Sequence, residues 1–132
     1  MKVGVAVRES VTVAGLACRA RVARAFVSGV LGPGHPCGDE AALLVGELFA
    51  NSIRHGGSGA AGQTVTVAVA AWDGVVWVEV ADRGGPGVPQ LRPADGEAEG
   101  GRGLQLVERL SARWDWYRDS GQTVVWFVLR YG

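Results

Sequence analysis

Apolar and polar residues alternate or recur along this chain in a way that divides it into elements. Met1 to Val7 alternates, with Val3, Val5 and Val7 on one side, and predicts a short strand at the edge of a sheet. A helix is expected from about Val13 to Leu31. Its apolar stripe is Leu16, Ala20, Ala23, Val27 and Val30/Leu31, while Arg19, Arg21 and Arg24 lie off it. Gly32-Pro-Gly-His-Pro-Cys-Gly38 reads as a loop, and Asp39 as the N-cap of a second helix. Gly56 and Gly57 end that helix, with His55 in its last turn. Thr64 to Trp72 predicts a strand with Val65, Val67 and Val69 on one face. Asp73-Gly74 predicts a hairpin turn, and Val75 to Ala81 returns with Val76, Val78 and Val80 on one face and Trp77 and Glu79 on the other. After the glycine- and proline-rich stretch Asp82 to Pro89, the segment Gln90 to Glu99 has no periodicity. A further helix carries Leu104, Val107, Leu110/Ser111 and Trp114 on one face. A strand near Trp114 to Arg118, a turn at Asp119-Ser-Gly-Gln122 and a strand from Thr123 to Tyr131 complete the pattern.

The second helix is largely apolar but keeps one polar stripe. At 100° per residue, Glu40, Glu47, Asn51 and Arg54 fall close together on it. Glu47 and Asn51, four positions apart, share a face. A carboxylate and a carboxamide there suit a hydrated divalent metal with the carboxylate left for base work. Taken alone, the stripe is equally an ordinary solvent-facing one. The glycines narrow the choice, because they cluster at 56–62, 84–87 and 96–103 beside polar residues. Glycine there permits close backbone approach to a ligand. A glycine run opening a helix, as at Gly100-Gly-Arg-Gly103, offers N–H groups to an anion.

Composition bounds the rest. The chain has 132 residues, 48% hydrophobic and 20% charged, which fits one domain spanning residues 1–132. No apolar run approaches the roughly 20 residues of a membrane span, and the N-terminus does not read as a signal peptide, so the expected compartment is the cytoplasm. A formal net charge of zero argues against a partner held by phosphate-backbone electrostatics, so no nucleic acid is expected. Cys18 and Cys37 stand far apart with no CxxC pair and read as reduced thiols.

Three clusters in order carry a resemblance. Glu47-Leu-Phe-Ala-Asn51 with Ser-Ile-Arg-His-Gly looks like the N box of the GHKL ATPase superfamily (gyrase, heat-shock chaperone, histidine kinase and mismatch-repair ATPases). Asp82-Arg-Gly84 with Gly85-Pro-Gly-Val-Pro89 looks like its G1 box, and Gly101-Arg-Gly103-Leu104 like its G2 box. Asn-Ser-Ile-Arg-His-Gly, Gly-Arg-Gly-Leu-Gln-Leu-Val-Glu-Arg-Leu and the closing Gly121-Gln-Thr-Val-Val-Trp-Phe resemble the small stand-alone branch of anti-sigma factor serine/threonine kinases.

The resemblance implies an α/β (α+β) two-layer sandwich of the Bergerat ATP-binding type: a mixed, mostly antiparallel sheet with helices on one face. It implies ATP and Mg²⁺, with Asn51 ligating the metal and Glu47 acting as general base on a protein serine or a water. Asp82 is expected to accept a hydrogen bond from the adenine amino group, with Gly84 letting the ring lie against the backbone. Gly101, Gly103 and Leu104 belong to the phosphate-binding run, and Thr123 supports the adenine pocket. Arg54 and Arg102 read either as phosphate contacts or as surface arginines. The implied partners are a small antagonist protein and, as a second candidate, a sigma factor. A homodimer, through the N-terminal strand, is a further expectation. Two departures stand out: Pro86 occupies the position of the second G1 glycine, and Glu99 puts an acid two residues before Gly101, where kinases of this group often carry a base. They leave room for an alternative, a nucleotide-sensing interaction module with little or no turnover.

Overall fold

The computed structural model describes residues 7–55, 62–83 and 105–132. Strand β1 (Val7–Ala14) leads through a 3-10 turn (Ala17–Arg19) into helix α1 (Ala20–Leu31) and then α2 (Gly38–His55). The hairpin β2 (Thr64–Trp72) and β3 (Val75–Asp82) follows. Residues 105–110 are helical, and β4 (Arg113–Asp119) and β5 (Gln122–Arg130) form a second hairpin. The strands order as β1-β2-β3-β5-β4. Every neighbouring pair is antiparallel, so among the described residues the sheet is wholly antiparallel rather than mixed.

Side chains on a strand point alternately to the two faces, and the register stacks one apolar set in rows. Val67, Val80 and Val125 are successive partners, then Val69, Val78 and Phe127, then Ala71, Val76 and Leu129. All nine are buried. Ala23 and Val27 of α1, with Ala41, Leu44, Val45, Leu48 and Phe49 of α2, cover them from one side. Val107 of the helical stretch 105–110 joins the same core. This is the expected two-layer sandwich with helices on one face. On the opposite face Trp77 and Trp126 stack with ring centroids 4.4 Å apart.

Val7, the last residue of the expected first strand, opens β1, which runs on to Ala14; residues 1–6 are outside the described ones. The whole strand pairs with β2, with Val7 opposite Ala71, and its β-branched stretch Val11-Thr-Val13 puts Val11 opposite Val67 and Val13 opposite Val65. The α-helix therefore starts only at Ala20, after the 3-10 turn; Gly15 breaks the chain after β1, and Leu16 is exposed rather than part of a buried stripe. Trp114 belongs to β4 opposite Phe127, not to the preceding helix. Asp39 sits inside the first turn of α2; the first intrahelical bond, from the Ala41 N–H, goes to the Cys37 carbonyl at 2.8 Å. The β2–β3 hairpin falls where the Asp73-Gly74 pair put it, with Gly74 at φ +80°. A Cβ on Gly74 would stand 3.2 Å from the Tyr131 carbonyl oxygen.

The Asp73-Gly74 end of the sheet anchors the start of α2. His35 Nδ1 accepts from the Cys37 N–H at 2.9 Å, and its ring meets Tyr131 edge-on at 4.8 Å. Tyr131 in turn donates its hydroxyl to the Trp72 carbonyl and its N–H to that of Gly74, each at 3.0 Å.

Candidate functional site

Two polar side chains are buried side by side at the far end of the sheet. Asp82 closes β3 and Thr123 opens β5, and they are direct partners in register. Both point to the helix-covered face, as continuations of Val76, Val78 and Val80 on β3 and of Val125 and Phe127 on β5. Only 4% of Asp82 and 6% of Thr123 is exposed. The Thr123 hydroxyl has no hydrogen-bond partner among the described residues. A buried hydroxyl left unpaired costs about 1–3 kcal/mol. A ligand bound at this end of the sheet could supply the missing bond.

Helix α2 brings its functional residues to the same end. It starts beside the Asp73-Gly74 turn, as the His35–Tyr131 contact shows, and packs against β3. Its 18 residues run for about 27 Å. Strand β3 leaves the same turn and covers about 26 Å before Asp82. Asn51, near the end of the helix, and Asp82, at the end of the strand, therefore share one end of the molecule. Leu44 and Leu48 are buried, and Asn51 and Ser52 continue their side of the helix, 8% and 4% exposed. Glu47 is half-buried, while Glu40 and Arg54 are exposed. The polar stripe thus runs from solvent into the protein and is deepest at Asn51. An ordinary solvent-facing stripe would not bury a carboxamide.

Gly84, Gly101, Arg102, Gly103 and Leu104 lie outside the described residues. The site that is described consists of Glu47, Asn51, Asp82 and Thr123, with Arg54 on the exposed side of α2. Arg118, which sequence reading does not single out, is exposed beside this site. It is the partner of Thr123 on β4, on the same sheet face, with its guanidinium 5.7 Å from the Trp116 ring centroid. Its signal was present only in the pairing of the last two strands, which needs the tight Ser120-Gly121 turn. Both turn residues have positive φ, +53° and +82°.

The donor set fits a nucleotide. Asp82 offers carboxylate oxygens to an exocyclic amine, and Thr123 can donate and accept beside it. For a metal, no group of three or more His, Cys, Asp or Glu gathers among the described residues. This is compatible with Mg²⁺, which keeps waters and phosphate oxygens and takes few protein ligands. One buried carboxamide oxygen, that of Asn51, is of the right kind.

Comparison with known proteins agrees with this fold. The profile of the histidine kinase-like ATPase domain family matches residues 5–129. No curated protein sequence matches the chain. Among solved structures, the RsbU and RsbW domains of Rv1364c from Mycobacterium tuberculosis superpose with a TM-score of 0.63 at 23% identity. That match covers 94% of this chain and 32% of the other. The histidine kinase domain of the blue-light activated histidine kinase from Erythrobacter litoralis EL346 superposes with a TM-score of 0.53 at 22% identity, covering 86% of this chain and 60% of that one. The chain thus spans about a third of the first and 60% of the second, and at these identities the likeness is one of fold.

Proposed function

Because the chain belongs to the histidine kinase-like ATPase domain family, we propose that it is a Mg·ATP-binding regulator that phosphorylates a serine or threonine on a small antagonist protein. The observation that carries the nucleotide site is the buried Asp82–Thr123 pair with its unpartnered hydroxyl, at the end of the sheet that α2 brings Asn51 to. The anti-sigma part of the reading rests on the resemblance of the motifs and on the fold shared with a structure that contains an RsbW domain.

The roles follow from the chemistry of each group. Asp82 accepts from the adenine amino group, and Thr123 completes its buried bonds on the same base. Asn51 lends its carboxamide oxygen to Mg²⁺, which supplies charge neutralisation for in-line transfer. Gly84, Gly101, Gly103 and Leu104 surround base and phosphates by resemblance, and Arg54 and Arg102 are phosphate contacts in this reading. Glu47, one turn before Asn51 and half-buried, takes the proton from the attacking hydroxyl. General-base help of this kind is worth roughly 10²–10⁴-fold. A sigma factor is a second partner, a homodimer the assembly, and the cytoplasm the compartment. No described helix is long and apolar enough to cross a membrane.

A second reading is favoured by Pro86 and Glu99: a nucleotide-sensing module with little turnover, since an acid beside the phosphate run opposes phosphate binding. One experiment separates the two. Unfolding temperature is measured with and without Mg·ATP on wild type, Asn51→Ala and Glu47→Ala, alongside release of γ-phosphate. Saturation at roughly 100 times the dissociation constant adds about 2.7 kcal/mol. The kinase reading expects Asn51→Ala to lose the shift, and Glu47→Ala to keep it while phosphate release stops. A wild-type shift with no turnover toward any offered serine protein favours the sensing module.

A further inference from the structure

The sheet face opposite the helices carries a row of stacked side chains. Trp77 and Trp126 lie with ring centroids 4.4 Å apart and planes 11° from parallel. Arg113, on the next strand out, holds its guanidinium 6.0 Å from the Trp126 centroid. The Trp77 Nε1–H donates to Glu79 Oε1 at 3.0 Å, which fixes the turn of the indole. Trp77 uses only one ring face in this stack. Strands β5 and β2 flank β3 on opposite sides, so an indole stacked toward β5 keeps its other face toward β2.

On that side the residues of β2 are small. Ala70 stands opposite Trp77 and Ala68 opposite Glu79, while Arg8 of β1 is the partner of Ala70 from the other side. Two alanines between long side chains leave a cleft of about 340 Å³, lined by Arg8, Ala68, Ala70, Trp72, Trp77 and Glu79. Small-molecule sites begin at about this size, roughly 300 Å³. Trp72, next to the Asp73-Gly74 turn, closes one end. Neighbouring strands lie about 4.8 Å apart, so Arg8 and Trp77 rise from the sheet about 10 Å apart. A flat ring with carbon contacts of about 3.5–4 Å on both faces takes roughly 7–8 Å. One aromatic ring therefore fits over Ala70, between the indole of Trp77 and the side chain of Arg8.

The cleft carries one charge of each sign. Arg8 is exposed and makes no hydrogen bond or ion pair among the described residues. Glu79 is half-buried and gives one carboxylate oxygen to Trp77, which leaves the other to accept. An uncharged ring would leave both groups unanswered. An aromatic acid would meet the like charge of Glu79, and an aromatic amine that of Arg8. A molecule with a ring, a carboxylate and an ammonium group complements all three features. We infer that this cleft binds a free aromatic α-amino acid, with its ring over Ala70 against Trp77, its carboxylate on Arg8 and its ammonium on Glu79. The site lies on the sheet face opposite Asp82 and Thr123 and does not rest on the kinase reading.

The test titrates the full chain with L-phenylalanine and follows tryptophan fluorescence, to which the ligand contributes nothing. Two analogues, 3-phenylpropionate and phenethylamine, each lack one of the charges. Phenylalanine should give a saturable change, and each analogue should bind roughly tenfold more weakly or worse. Arg8→Gln and Glu79→Gln should each weaken phenylalanine by about the same factor. Arg8→Gln should not weaken phenethylamine, and Glu79→Gln should not weaken 3-phenylpropionate. Arg113→Gln, on the far side of the stack, should bind phenylalanine as wild type does. Arg8 and Arg113 are exposed, so both variants should keep the unfolding temperature of wild type. No saturable response in wild type, analogues that bind as well as phenylalanine, or undiminished binding by Arg8→Gln and Glu79→Gln would each overturn the inference. So would a stable dimer that Trp77→Ala disperses, since a second copy would then cover the cleft.

Discussion

Thr123 is the residue at which structure and function diverge most clearly. Its side chain is 6% exposed and its hydroxyl has no partner among the described residues. Replacing it with valine keeps the shape and removes the unpaired group. Thr123→Val should therefore leave the free protein as stable or more so, by up to about 1–3 kcal/mol in urea unfolding. The same change should weaken nucleotide binding by roughly 2- to 10-fold, the worth of one hydrogen bond. A purely structural threonine would show neither effect. Cys37 behaves differently. Its thiol is buried and its pKa is pushed up from the ordinary 9.0, first by burial and then by the Glu40 carboxylate. The folded state thus holds the thiol proton more tightly than the unfolded one. That contribution is full below the ordinary thiol value and is lost as pH rises through the folded-state value. Unfolding measured from neutral to alkaline pH should fall less steeply in Cys37→Ala than in wild type. Exposed Cys18 should react with thiol reagents in the native protein, while Cys37 should react only on unfolding.

Among the elements, α1 is not tuned for local stability. Arg21 stands in the first turn of a helix with no acid there. Arg21→Glu should stabilise the fold by about 0.3–1 kcal/mol, a rise of a few degrees in Tm by calorimetry. Gly46→Ala should be close to neutral. The gain of about 1 kcal/mol in helix propensity is offset where Arg24 must give way. The elements also show what a sequence displays. The β2–β3 hairpin was legible to the residue, because strict alternation and Asp73-Gly74 both specify it locally. The run of the first strand on to Ala14 was not. Val11 and Val13 continue the alternation of Val7, but Val13 also fits the start of a helix, and only pairing with Val67 and Val65 decides for the strand. Trp114 fits a helical stripe by spacing, but the Ser120-Gly121 turn draws its segment into β4. Asn51, Asp82 and Thr123 stand out in the sequence because each belongs to a short motif. Arg118 does not, since its neighbour Thr123 is defined only by strand register.

At the scale of the whole molecule, one sheet end holds together three residues that are distant in the chain. The antiparallel order β1-β2-β3-β5-β4 puts Asp82 beside Thr123. The anchoring of α2 at the other end, through His35 and Tyr131, brings Asn51 to the same place. The fold thus fits an ATP-binding domain, as membership in the histidine kinase-like ATPase domain family does. The most direct test of this arrangement is isothermal titration of Mg·ATP into wild type and Asp82→Asn. Replacing a buried acceptor by an amide leaves the shape but turns one oxygen into a donor facing the adenine amine. Wild type should bind a single nucleotide, and Asp82→Asn should bind it at least roughly tenfold more weakly while unfolding cooperatively. Undiminished binding by a folded Asp82→Asn would contradict the account, because the nucleotide would then lie elsewhere than between Asp82, Thr123 and α2.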